Sequence, residues 1–159
     1  MLQDLIRRLA GPPAPHPLHP DDARLAMAAL MVRISRTDGS YSQAERRRID
    51  AMLIERYRLD AAGAARIRAE AEVAEEGAQD TVQFTRLIKQ AVPYEERTGV
   101  VEALWRVAAT DGINADERGL MRLVSELLGV SDVDSGLARQ RVLERLSNLA
   151  ICKGNRARR

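Results

Sequence analysis

The tripeptide Thr37-Asp38-Gly39 recurs 73 residues later as Thr110-Asp111-Gly112, and each copy leads out of an apolar helical stretch into a capped, charged one. The flanks repeat as well: Leu30-Met31-Val32-Arg33-Ile34 precedes the first copy and Leu104-Trp105-Arg106-Val107-Ala108 the second. Such a recurrence marks an internal duplication. The fold must therefore accommodate two related halves, each with a carboxylate at the same turn.

Apolar spacing makes those halves helical. Leu25, Ala28, Ala29 and Val32 line one face of a helix capped by Asp21 or Asp22 and running to about Arg36, while Met27, Leu30, Met31 and Ile34 widen that face until the helix must be central. Ser42 with Glu45 three residues on fits a capping box and opens a helix to about Tyr57. Asp60 starts another through Glu76, ended by Gly77, and Asp80 one through about Ala91 on Phe84, Leu87 and Ile88. Pro93 suits the first turn of a helix over 94–109 with a stripe of Val100, Val101, Leu104, Val107 and Ala108. Asn114 with Glu117 repeats the capping-box spacing, Gly129 stops that helix, and a last one spans about Val133 to Ala150.

Alternating β-branched and aromatic residues are missing, and only Tyr41, Tyr57, Phe84, Tyr94 and Trp105 are aromatic, so strands are not expected. The predicted fold is all-α, a single bundle of about seven helices in two pseudo-symmetric halves over residues 21–150. Ahead of it, residues 1–20 comprise a short amphipathic helix on Leu2, Leu5, Ile6 and Leu9 and a Pro-rich linker with His16 and His19. Behind it, residues 151–159 form a basic tail, with Lys153 to Arg159 too charged to fold alone. The net charge of +2 conceals an asymmetry: residues 139–159 hold seven Lys or Arg against Glu144 alone, +6, which leaves −4 for the rest. One cysteine, Cys152, forms no internal disulfide, and no signal peptide or 18-residue apolar run is present, so a reducing cytoplasmic setting is expected.

Several separated motifs occur in an order that resembles the tellurite-resistance TerB-like family of bacterial proteins. They are Asp21-Asp22-Ala23-Arg24-Leu25-Ala26, Thr37-Asp38-Gly39, Gln83-Phe84-Thr85-Arg86-Leu87-Ile88, Tyr94-Glu95-Glu96-Arg97, Leu104-Trp105-Arg106-Val107-Ala108 and the second Asp-Gly, and the likeness spans about residues 1–134. It implies an all-α fold of two related helical halves, divalent-metal binding by acidic residues in and after the Asp-Gly loops, and a link to stress-response complexes at the inner face of the membrane. It implies no established reaction. Two departures bear on the metal: the second loop is one residue shorter, and Arg33 and Arg106, about one turn before each Asp, stand where family members often carry Glu.

The residues themselves leave two readings open. Asp38, Ser40, Ser42 and Glu45 in one half and Asp111, Asn114, Asp116 and Glu117 in the other offer hard oxygens suited to Ca²⁺ or Mg²⁺, while His and Cys are missing from this region, against Zn²⁺. If the loops meet about a pseudo-two-fold axis, Asp38, Glu45, Asp111 and Glu117 converge and their repulsion favours a cation. Alternatively Asp38 and Asp111 only close turns before Gly, and Glu45 and Glu117 only cap helices, the more economical account. The spacing is not that of the twelve-residue EF-hand loop.

Nothing else carries chemistry. His16 and His19 sit among prolines, Cys152 has no nearby His, and no phosphate loop, nucleophile elbow or metalloprotease helix is present. The chain therefore reads as non-enzymatic, with protein partners expected. Two classes remain, with an enzyme built on an oxygen-ligated metal behind them: an interaction module built on the acidic loops, with or without metal, and an adaptor on a membrane surface working through the basic tail and the Met1 to Leu9 helix. Nucleic acid is disfavoured by the acidic body and the lack of interleaved aromatics.

Overall fold

Residues Leu25 to Val32 form an unbroken buried run, which fits a helix whose sequence is apolar almost all round. The computed structural model describes residues 20–110 and 112–156 together with Leu2 and Ile6. The predicted N-terminal helix and linker thus lie, apart from Leu2, Ile6 and Pro20, outside the described residues, as do Asp111 and residues 157–159. The described chain forms α1 (Pro20–Ser35), α2 (Gln43–Tyr57), α3 (Ala61–Gly77), α4 (Val82–Ala91), a 3-10 turn (Tyr94–Glu96), α5 (Arg97–Ala108), α6 (Ala115–Leu127) and α7 (Asp132–Arg156). No strand occurs among the described residues, and the all-α expectation holds.

The duplication is visible in the packing. α1 lies against α2 and α3, α5 lies against α6 and α7, and α2 meets α3 as α6 meets α7. α1 and α5, the two broad-faced helices, pack on each other and join the halves. α4 leans on α1 and inserts Phe84 and Ile88 into the shared core. Trp105 is buried, and its indole N–H donates to Ser135 Oγ at 3.0 Å, which in turn lies 2.9 Å from Ser125 Oγ. That chain of hydroxyls gives a buried ring its polar partner and ties α5, α6 and α7 together.

Helix ends follow local chemistry. Asp60 accepts the Gly63 N–H at 2.7 Å, Asp80 accepts that of Gln83 at 3.2 Å, and Gly129 adopts the left-handed φ of +75° that closes α6. Two boundaries differ from expectation. Pro93 leads into a 3-10 turn, and the α-helix proper begins only at Arg97. The last helix does not stop at Ala150 but runs to Arg156. Ser135, Ala138 and Val142 anchor it, after which propagation adds one hydrogen bond per residue, and Lys153 and Arg156 in the last turn complement its dipole. Residues 147–156 are exposed throughout, so the described part of the tail is helical yet buries nothing.

Candidate functional site

Each loop turns on a glycine with positive φ, +80° at Gly39 and +87° at Gly112, a conformation in which a Cβ would be strained. In the first loop Asp38 Oδ1 accepts from the Ser40 backbone N–H at 2.9 Å and from Ser40 Oγ at 2.8 Å. These two bonds favour the charged carboxylate and hold Asp38 below its ordinary pKa. Thr37 Oγ1 donates to the Ile34 carbonyl, and Thr110 Oγ1 donates to that of Arg106 at 2.8 Å. Both threonines therefore bond back onto the helix they leave.

Both capping boxes form as their spacing predicts. Glu45 accepts the Ser42 N–H at 2.6 Å while Ser42 Oγ accepts the Glu45 N–H at 3.2 Å; Glu117 accepts the Asn114 N–H at 3.0 Å while Asn114 Oδ1 accepts that of Glu117 at 2.8 Å. What spacing does not convey is their burial. Glu45 is 9 % and Glu117 8 % exposed, far less than an ordinary capping glutamate on a surface helix.

The burial follows from docking. Packing α1 on α5 brings the two loops to one end of the bundle, where they enclose a cleft of about 150 Å³. Asp38, Glu45 and Arg48 line it from the first half; Gly112, Asn114 and Glu117 line it from the second; Ser35, Val107 and Ala108 form its remaining wall. Of the four residues marked as ligands, Asp38, Glu45 and Glu117 thus share one cleft, and Asp111 lies outside the described residues. The donor set is all oxygen, which suits a hard cation. Ser42 and Ser40 engage one oxygen of Glu45 and one of Asp38; the second oxygen of each makes no hydrogen bond among the described residues. Among those residues, however, no three carboxylate, histidine or cysteine side chains stand close enough to hold a metal.

The two arginines that seemed set to oppose a cation point elsewhere. Arg33 Nε donates to Glu75 Oε1 at 3.2 Å, and its terminal nitrogens reach Thr81 Oγ1 at 3.2 Å and the Ala78 carbonyl at 3.0 Å. Arg106 grips both oxygens of Glu55 at 2.9 Å, and that bidentate bond holds Glu55 below the usual carboxylate range. Neither lines the cleft. Among the described residues the cation that does is Arg48, which the Arg46-Arg47-Arg48 run concealed; its position three residues after Glu45 on α2 was the signal that places both on one helix face.

A duplicated α-bundle whose two Asp-Gly loops share an oxygen-lined cleft is the class of protein that this geometry defines. The family model described as tellurite resistance protein TerB matches residues 24–140. The chain belongs to that family, and the match covers both loops, both capping boxes and the first part of α7. No curated protein and no solved structure matches the chain.

Proposed function

We propose that this protein is a non-catalytic interaction module of the tellurite-resistance response, that the cleft between its loops is the working site, and that it takes Ca²⁺ or Mg²⁺ there through Asp38, Glu45, Asp111 and Glu117. One observation carries the reading: two glutamates from opposite halves, each already used as a helix cap, are buried against the same cleft. Capping alone gives a glutamate no reason to leave water, whereas a cation-responsive joint between the halves does. In this reading the ion fixes how α1–α2 sits against α5–α6 and so sets the surface shown to a protein partner in the cytoplasm.

Melting the protein in Ca²⁺, in Mg²⁺ and in chelator tests it. The ion should raise the midpoint, since a ligand of the native state stabilises by about 2.7 kcal/mol at one hundred times its Kd. Asp38→Asn with Asp111→Asn should abolish the dependence. A midpoint indifferent to both ions leaves the glutamates as caps only.

A second reading has its own support, the exposed helical end 147–156 with Leu149, Ile151, Lys153 and Arg156. In it the chain is an adaptor on an anionic membrane surface. No helix among the described residues is long and apolar enough to cross a membrane, so the contact would be peripheral. Liposome binding that needs anionic lipid and fades with salt supports it; binding insensitive to salt rejects it.

A further inference from the structure

The seam between α2 and α5 opens twice. At the loop end it forms the oxygen-lined cleft, and further along, from the Arg106–Glu55 bond onward, it opens again into a groove of about 330 Å³. α5 contributes Gly99, Glu102, Ala103 and Arg106, a strip at helical spacing, and α2 contributes Met52, Glu55 and Arg56. Met52 and Ala103 are buried, so the bottom of the groove is apolar. Gly99 keeps it open: a Cβ built there meets no heavy atom within 4 Å. Glycine inside a helix is destabilising relative to alanine, and no contact within the bundle calls for it at this position.

The charges around the groove do not balance. Glu55 is held by both terminal nitrogens of Arg106 at 2.9 Å. Glu102 is shared between Arg141 at 3.0 Å and Arg145 at 3.1 Å, both reaching it from α7. Arg56 stacks over the Tyr57 ring, 5.8 Å from its centroid, and meets no carboxylate among the described residues. Four guanidiniums therefore face two carboxylates. The side chains of Arg141 and Arg145 stay 46 % and 62 % exposed, with donors to spare. This arrangement suits a segment that brings carboxylates to the guanidiniums and an apolar side chain to the bottom of the groove. A phosphodiester backbone brings charge without the apolar group, and it meets Glu55 and Glu102 on the way in.

We infer that the groove between α2 and α5 is a docking site for an acidic, apolar-studded segment of a protein partner, whose carboxylates pair with Arg56, Arg141 and Arg145 while an apolar side chain enters over Gly99. The inference rests on the reading of the chain as an interaction module, names the chemistry of the partner, and needs no ion in the cleft.

The test uses the full chain in chelator and fluorescence polarisation of a labelled peptide of alternating Glu and Leu, with Gln/Leu and Lys/Leu peptides as controls. Wild type should bind the Glu/Leu peptide at least about tenfold tighter than either control, with an affinity that falls as salt rises. Gly99→Leu keeps every charge and fills the bottom of the groove; it should weaken binding about tenfold or more while melting no lower than wild type. Arg56→Glu, at a residue outside every described ion pair, should weaken binding by a similar factor. Binding that either variant leaves unchanged lies elsewhere and overturns the groove, as does a wild type that binds no peptide or binds the controls equally well. Duplex DNA bound more tightly than the peptide, and lost in Gly99→Leu, overturns the choice of partner. The ion dependence of melting is read separately, so none of these outcomes decides the cation site.

Discussion

Arg33 and Arg106 hold the same place in the two repeats and end in different company. Arg33, its side chain 16 % exposed, is locked with Arg36 onto Glu75 of α3, the third helix of its own half. Arg106, 34 % exposed, reaches across to Glu55 of α2 in the other half, a residue that is itself 62 % exposed. The cause lies in the third helices. α3 supplies Glu70, Glu72, Glu75 and Glu76, whereas its counterpart α7 supplies Arg139, Arg141 and Arg145. On α5 it is Glu102 that answers, taking Arg141 at 3.0 Å and Arg145 at 3.1 Å. The repeats kept the packing and reversed the sense of the ion pairs. Helix geometry survives a duplication more readily than surface charge, because burial of Leu, Val and Ala is indifferent to sign.

The comparison breaks first at Glu75. Glu75→Ala strips two half-buried arginines of their carboxylate partner and should cost about 3 kcal/mol, as removing one partner of a buried pair does; a loss below that of the surface pair would show that the first half is not held this way. The two capping boxes should respond alike: Glu45→Ala and Glu117→Ala each at about 1 kcal/mol in chelator. A marked difference between them, read from urea midpoints, would mean that one half docks more loosely.

Acid should then separate the halves. Burial alone would raise the Glu72 carboxyl, but hydrogen bonds from Tyr41 at 2.9 Å and Arg68 at 2.7 Å lower it on balance. A lowered folded pKa contributes stability that is present above the ordinary carboxylate range and lost as pH falls through the folded value. Glu72→Gln should therefore flatten the acid limb of a stability–pH curve, and an unchanged limb would remove Glu72 from the account. Smaller still, Arg106→Ala should shift stability by at most about 1 kcal/mol, less in high salt, as exposed pairs do. Smallest of all, deleting residues 153–159 should leave stability within about 0.5 kcal/mol, the scale of surface changes.

Local chemistry was the legible part. Ser42 with Glu45 and Asn114 with Glu117 interact over three residues, so their spacing alone predicts the boxes, and the breadth of the apolar face at 25–34 predicts the burial of α1. Long-range pairing was not. Arg33 and Glu75 are 42 residues apart and Arg106 and Glu55 are 51 apart, and nothing in either segment names the other. That is why the arginines beside the loops looked like threats to a cation while Arg48, hidden in a run of three, did not. The helical end of α7 was missed for a related reason: composition argued against independent folding, and 147–156 does not fold independently but continues a helix anchored by the buried Ser135, Ala138 and Val142.

That continuation has a kinetic consequence. Ten residues at about 1.5 Å each make a rod of about 15 Å standing clear of the bundle, held by its backbone bonds alone. Its far turns should open and close on the sub-microsecond scale of an isolated helix, many orders of magnitude faster than the core unfolds. Cys152, the single thiol, is exposed on that rod, so a spin label there would clock the fraying without sensing the body at all.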